Sequence, residues 1–502
     1  MKIPIVERKG TIIYPDRKRV IARFFSNGDE RAEKLIKRVL ALSETEVEGL
    51  MHQILREFSK RHRSITTIFK KNFQKVEHIV TKCCQENLLT EWRKLLIGSY
   101  FTMEYAIESA ALFNPSIVED FDQSGLHEGQ KRVIISLRAT GEGHISSLIF
   151  RRAVIDENNE IKMLEPSDQI GEAEHIKSHI YKKKNFEKKM AEMKVEKLIS
   201  DMVLQRLPDE FTYDQISQVI KLIKETEHCS SPECKKSIDE ILWLADSHTE
   251  IRFSLDTDLS ERVIFPTSDI EKNGIEDARF TKFRKDNGEM VYYGTYTAYD
   301  GYTILPKLIE TKDFFKFEVF PLHGKYAINK NLALFPRKIH GKYAMISRID
   351  GINNYIMFSK KLQYWNKAEI LSEPLYSWEL KQIGNGGSPI ETEKGWLLIT
   401  HGVGPVRKYC LGACLLDLDD PSKVIGKLDE PLLLPDEEER SGYVPNVVYT
   451  CGTLVHNGEL IIPYALSDYA SSFASVNLDT LLDKLTGNLA LHLPEKKLTD
   501  IE

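Results

Sequence analysis

Gly395-Trp396-Leu397-Leu398-Ile399-Thr400-His401-Gly402-Val403-Gly404 decides the fold. A glycine turn leads into an apolar run, and a polar side chain, His401, stands near its end. The same texture recurs in Gly129 to Gly143, Met290 to Gly301, Gly341 to Gly351 and Gly458 to Tyr469. The polar residues near the ends of these runs are Arg138, Asp300, Arg348 and Asp468. Runs of apolar and β-branched residues bounded by such turns read as strands. From Asp300 onward the copies lie roughly 50 to 70 residues apart, a spacing that suggests the blades of a β-propeller. Five copies predict five blades. Because the inner strands of a propeller line a central channel, their polar ends are expected to converge on one site.

The flanking sequence has a different period. Ser43 and Glu46 form a capping box, each able to satisfy the other's free backbone N–H. Val47, Leu50, Met51, Ile54, Leu55 and Phe58 then fall on one helical face. Residues 28–93 are therefore expected to be helical, after an extended lead-in over residues 1–25. Residues 94–112 read as a further buried helix, and Phe113-Asn114-Pro115-Ser116 as a turn. Residues 170–245 return to helix. The expected architecture is mainly β: an N-terminal helical region (1–104) and a five-bladed β-propeller (105–490), interrupted by a helical insertion at about 165–245.

With 502 residues, 42% hydrophobic and 29% charged, the composition is that of a soluble globular protein. A net charge of -6 without a basic block argues against nucleic acid as partner. No apolar run approaches the length of about 18 residues that a membrane span needs. Lys2, Glu7, Arg8 and Lys9 leave no apolar core for a signal peptide, so a cytoplasmic protein is expected. The seven cysteines show no ligand spacing with histidine and read as reduced thiols, with no metal site. Lys182-Lys183-Lys184 with Lys188-Lys189 reads as a solvated helix face. Arg61-His62-Arg63 reads as a solvated helix end, or as a lid or partner contact.

Gly274-Ile275-Glu276-Asp277-Ala278-Arg279-Phe280 stands out chemically. It sets two adjacent carboxylates and an arginine between a polar loop, Ser268 to Asn273, and a strand-like segment. Such a group is costly to bury unless it is paired or functional. Taken alone it is a surface turn closed by an Asp–Arg pair.

With its neighbours it resembles glycoside hydrolase family 130, the inverting β-mannoside phosphorylases and related β-mannosidases. The matching pieces, in order, begin with Phe113-Asn114-Pro115, Gly274 to Arg279 and Thr297-Ala298-Tyr299-Asp300-Gly301. Leu334-Phe335-Pro336, Gly341 to Met345, Ser388 to Thr392 and Gly395 to Val403 follow, then Pro445-Asn446-Val447-Val448 with Cys451-Gly452. The resemblance covers about residues 105–153 and 246–480. It implies that Asp277 is the general acid, protonating the glycosidic oxygen through a sugar hydroxyl. Asn114, Arg138, Glu276 and Asp468 match positions that hold the mannosyl unit. Lys330, Asn331, Arg348 and His401 match positions that bind phosphate. Lys330 stands where the family has arginine, which keeps the charge and loses the bidentate fork. In Lys381-Gln382-Ile383-Gly384, a gapless match puts Gln382, and a one-residue slip Lys381, where a lysine is usual. Ala278 replaces a proline.

Inverting cleavage needs an acid on the leaving oxygen and a nucleophile on the opposite face. A hydrolase adds a carboxylate base to activate water, whereas phosphate needs only cations to hold it. Lys330, Arg348 and His401 favour a phosphorylase, with a β-mannoside oligosaccharide and inorganic phosphate as substrates and no other cofactor. Asp300 and Asp350, carboxylates near strand ends, keep a β-mannoside hydrolase open. A non-catalytic glycan-binding propeller is the reading from another class. In that reading His401 is a satisfied strand-end histidine, Arg348 a structural ion pair, and Trp396, Tyr299 and Tyr464 core aromatics. Linkage, acceptor sugar and homo-oligomerisation stay open.

Overall fold

The computed structural model describes residues 5–83, 89–171, 173–177, 179–193, 195–226, 231–246, 248–266, 274–299 and 304–487. Five antiparallel sheets of four or more strands dominate it. Their central strands are the apolar runs picked out above, and alternate residues of each run face two different cores, as a pleated strand requires. In Gly395–Val403 every residue is buried. Leu397 and Ile399 pack with Leu460 and Ile462, while Trp396 and Leu398 pack with Ala344 and Ile346.

The same division holds in every sheet. Ile134 of Lys131–Thr140 shares a core with Tyr292 and Phe280. On the other face of Met290–Tyr299, Val291 and Tyr293 meet Met345 and Leu334. Ile461 of Glu459–Leu466 meets Val133, Ile135 and Leu137. Each sheet thus shares one core with the next in sequence, and the fifth shares a core with the first.

The chain's start is built into its end. Val6–Ile13 pairs antiparallel with Ala470–Asn477 and completes the fifth sheet. The expected lead-in is therefore partly a sheet strand. Beside it, Glu108 is fully buried, with Arg19 Nε at 2.8 Å and Arg151 Nη2 at 2.6 Å from its Oε1.

Four helices, Asp29–Leu40, Glu44–Phe58, Ile65–Cys83 and Glu91–Tyr100, enclose a core that includes Ile36, Met51, Phe69 and Leu96. The Ser43–Glu46 capping box is formed. A second helical group, Lys183–Glu192, Lys197–Leu204, Tyr213–Thr226 and Pro232–Asp246, has its own core around Phe211, Ile220 and Ile238. The strands Glu174–Ile176 and Thr249–Arg252, on either side of it in sequence, join the second sheet. Among the described residues no helix is long and apolar enough to cross a membrane.

Several expectations need correcting. The helix expected over 94–112 stops at Tyr100, and Thr102–Ala106 and Ala111–Glu119 are strands. Thr102–Ala106 pairs with Val20–Phe24, so the apolar run satisfies its backbone laterally, an outcome that apolar periodicity alone does not separate from helix. Of Arg61-His62-Arg63, expected as a solvated helix end, Arg61 is exposed but His62 is buried and all three are paired with carboxylates. Arg61 and His62 both hold Glu104 at 2.8 Å, and Arg63 bonds Asp256 and Glu261, tying the helices to the segment that follows Thr249–Arg252. Cys83, Cys410, Cys414 and Cys451 are free thiols as expected, but Cys234 is in a disulfide whose partner lies outside the described residues.

Candidate active site

Three first strands carry the same irregularity at the same depth. The pairing register shifts between Phe113 and Ser116, between Glu276 and Arg279, and between Lys330 and Ala333. Within these bulges Asn114, Asp277 and Asn331 adopt φ of 51°, 53° and 68°. Asn and Asp are the non-glycine residues that best tolerate this left-handed region, because their short side chains bond locally. A bulge swings its extra residue off the sheet face, and neighbours must hold it there. Here they do: Cys451 N donates to Pro115 O at 2.8 Å, Phe280 N to Ser116 Oγ at 3.1 Å, and Asn385 Nδ2 to Asn331 O at 2.5 Å. The segment expected as a turn at Phe113–Ser116 is therefore a bulge inside a strand.

These strands and their neighbours surround a cavity of about 200 Å³ lined by Asn114, Arg138, Glu276, Asp277, Lys330, Arg348, His401, Arg407, Tyr409, Val447, Tyr449 and Asp468. Eight of the nine residues singled out from the sequence line it. The ninth, Asn331, is buried beneath and donates to Tyr449 Oη at 3.1 Å. Asp300 and the loop Ser268 to Asn273 lie outside the described residues. Asp350 does not line the cavity; its carboxylate accepts from Asn353, Tyr355 and the Ile352 N–H. Gln382, opposite Val403, directs its Nε2 to Tyr409 Oη at 3.5 Å, and Lys381 is exposed. Trp396 and Tyr464 are core aromatics; the Tyr299 side chain lies outside the description.

The carboxylates are tightly held. Glu276 receives Lys330 Nζ at 2.5 Å and Arg138 Nη2 at 2.9 Å. Asp277 Oδ1 accepts from Asn114 Nδ2 at 2.6 Å, with Arg138 Nη1 at 3.5 Å. Arg279 runs underneath: its Nη1 bonds the Asp277 carbonyl at 2.7 Å and its Nη2 donates to Tyr449 Oη at 2.6 Å. With both Arg279 and Asn331 donating to it, the Tyr449 hydroxyl directs its own proton to Asp277 Oδ2, 3.3 Å away. Tyr449 escaped the sequence reading although it directly follows Pro445-Asn446-Val447-Val448.

These contacts set the protonation states. Burial alone would raise the Asp277 carboxyl, but Arg279, Arg138 and Lys330, with the Asn114 hydrogen bond, outweigh it and hold the group below the usual carboxylate range. Burial, reinforced by Asp277, pushes Asp468 up to about 7 against the pull of Arg138 and Arg407. The two carboxylates are thus shifted in opposite directions by their surroundings. Burial, then Arg348 and Arg279, keep His401 neutral. Its Nδ1 faces the Asn385 carbonyl at 3.1 Å, which only accepts, so Nδ1 carries the proton and Nε2 accepts from Arg348 Nη1 at 3.3 Å. His401 is an orienting group for Arg348 rather than the cation its position suggested.

A polar basin of paired carboxylates and guanidinium groups at the strand ends of a mainly β protein suits a hydroxylated or anionic ligand. The family model described as β-1,4-mannooligosaccharide phosphorylase matches residues 232–486. The chain belongs to this family, glycoside hydrolase family 130. It is similar to the 1,2-β-oligomannan phosphorylase of Thermoanaerobacter sp. (strain X514), at 36% identity over 221 residues, which are 42% of this chain and 70% of that one. To the β-1,2-mannobiose phosphorylase of Listeria innocua it is 29% identical over 251 residues, 48% of this chain and 68% of that one. To the β-1,4-mannooligosaccharide phosphorylase of Ruminococcus albus it is 40% identical over 169 residues, 31% of this chain and 50% of that one. Among solved structures, the Listeria innocua β-1,2-mannobiose phosphorylase bound to β-1,2-mannobiose aligns over 75% of this chain and 92% of its own, with a TM-score of 0.44 and 21% identity.

Proposed function

We propose that the protein is an inverting phosphorylase that transfers a mannosyl unit from a β-mannoside to inorganic phosphate, giving α-mannose 1-phosphate. One observation carries the choice of nucleophile. Lys330 and Arg348 stand directly opposite each other in antiparallel register, a like-charge pair that is unfavourable without an anion. Lys330 is neutralised by Glu276, whereas among the described residues Arg348 has no carboxylate within 4 Å and its buried Nε has no partner. A phosphate dianion satisfies such a site, and water does not. Asp350, the described candidate for a hydrolytic base, is bound up outside the cavity. The relatives named above are all β-mannoside phosphorylases, of 1,2- and 1,4-linked substrates.

In this reading Asp277 protonates the glycosidic oxygen through a sugar hydroxyl, and Asn114, Arg138, Glu276 and Asp468 hold the mannosyl unit. Lys330, Asn331, Arg348 and His401 form the phosphate side. The five sheets are the blades of a β-propeller over about residues 105–490, a reading supported by the cyclic order of their five shared cores. The helices before and within it are additions to that body.

The test is product analysis of 1,2- and 1,4-linked β-manno-oligosaccharides with and without phosphate. Mannose 1-phosphate formed only with phosphate, in the α configuration by NMR, is expected. Free mannose at the same rate in phosphate-free buffer makes the protein a hydrolase.

A further inference from the structure

The hairpin that follows His401 is built in an unusual way. Gly404-Pro405-Val406-Arg407 links the strands Gly395–Val403 and Tyr409–Leu416, and Val406 and Arg407 in succession take φ of 58° and 56°. A β-branched residue pays heavily for that conformation, and such strain persists where surrounding structure demands it. The first sheet has the same turn at Gly141 to His144, where glycine takes the first of the two left-handed positions. There the second, His144, bonds Tyr443 Oη at 2.6 Å. In the later hairpin the corresponding residue is Arg407, which lines the cavity. Val406 itself is 89% exposed, so the strain secures no core contact. The turn does bring Arg407 to the rim of the cavity.

Arg407 has no carboxylate within 4 Å and donates no hydrogen bond among the described residues. Arg348 shares the first property, while Arg138 and Lys330 are already engaged with Glu276. Resting on the phosphorylase reading above, the geometry points to Arg407 as a further phosphate-binding residue that clamps the nucleophile together with Arg348. A planar guanidinium is suited to bidentate contact with phosphate oxygens. Arg407 also lies close enough to Asp468 to draw its carboxyl down, which places it at the border between the anion and the mannosyl side.

The experiment is steady-state phosphorolysis by the full chain with phosphate and mannoside varied separately. Arg407→Ala is expected to raise KM for phosphate by about 10- to 100-fold with KM for the mannoside within about twofold. Arg407→Lys is expected to recover only part of the loss. Val406→Gly, which keeps the charge and frees the turn, should raise KM for phosphate by several-fold. Arg407 is exposed at a hairpin tip, so thermal unfolding of its variants should match wild type. An unchanged KM for phosphate in Arg407→Ala, or a rise confined to the mannoside, overturns the assignment. A wild type with no phosphate-dependent turnover at all instead overturns the phosphorylase reading.

Discussion

Replacing Asp277 by Asn tests the chemistry most directly, because the structure poses a difficulty for that residue. Its carboxyl lies below the usual carboxylate range, held there by Arg279, Arg138 and Lys330 against the effect of burial. That field favours the ionised carboxylate over the acid. A general acid must be protonated when the bond breaks, so substrate binding must restore the proton. Phosphate is able to do this. An anion about 4 Å from a titrating group shifts it by about 4 kcal/mol at an effective dielectric of 20, or about three pKa units. A dianion drawn in by the cations therefore opposes the field that favours the ionised form of Asp277. Asn at this position retains an oxygen to accept from Asn114 and loses the transferable proton. Phosphorolysis of an unactivated manno-oligosaccharide should then fall by about 10² to 10⁴, the usual contribution of general acid catalysis. A 2,4-dinitrophenyl β-mannoside, whose leaving group needs no proton, should lose less than about tenfold. Parallel steady-state assays of the two substrates decide the matter, with thermal unfolding to show that the variant is folded. Equal losses on both substrates, or no loss on either, would refute the acid role.

Gly384 faces His401 and Asn331 so closely that an added Cβ would lie 2.3 Å from His401 Cε1 and 2.1 Å from Asn331 Oδ1. Gly384→Ala should cost about 1–3 kcal/mol and raise KM for phosphate by unseating the imidazole that orients Arg348, both readable from unfolding and kinetics. Asp468 keeps its proton up to about pH 7 in the folded state, against 3.8 for an ordinary aspartate. Its contribution to stability is thus fully present below about pH 3.8 and lost as pH rises through 7, a swing of at most about 4 kcal/mol. Asp468→Asn should therefore be more stable than wild type at pH 8, with the difference fading towards pH 4; thermal unfolding curves that stay parallel across that range exclude it. Glu108→Gln leaves Arg19 and Arg151 buried without their counter-charge and should cost about 3–5 kcal/mol in denaturant unfolding.

The strands were legible because both faces of each are buried, so apolar residues run on until the site interrupts them. The polar residues that interrupt them, Arg138, Arg348, His401 and Asp468, are the ones the cavity gathers. Arg407 and Tyr449 were not legible. A Gly-Pro-Val-Arg turn carries no sign that Val406 will be held left-handed, and Tyr449 sits at the end of a two-residue strand, Val448–Tyr449, too short to show a period. The 94–112 run failed for the opposite reason: it is apolar enough for either helix or strand, and only pairing with Val20–Phe24 decides.

The bulges show how sequence and site are tied. Asn114-Pro115 read as a turn because Asn and Pro break strands. Yet Asp277 and Asn331 occupy the same place in two further first strands, and neither was read as an interruption. All three positions need a residue that accepts φ near 50–70° and also presents a polar head. Glycine meets the first need only, and β-branched residues meet the first only under strain. Asn and Asp meet both, which makes an Asn or Asp inside an otherwise apolar strand the local mark of a bulge aimed at the site. The same requirement predicts how substitutions should divide. At Asp277 Asn preserves the backbone and removes the proton, whereas Val would break the bulge before any chemistry could be tested. A change that is conservative for the reaction at these positions must therefore first be conservative for φ.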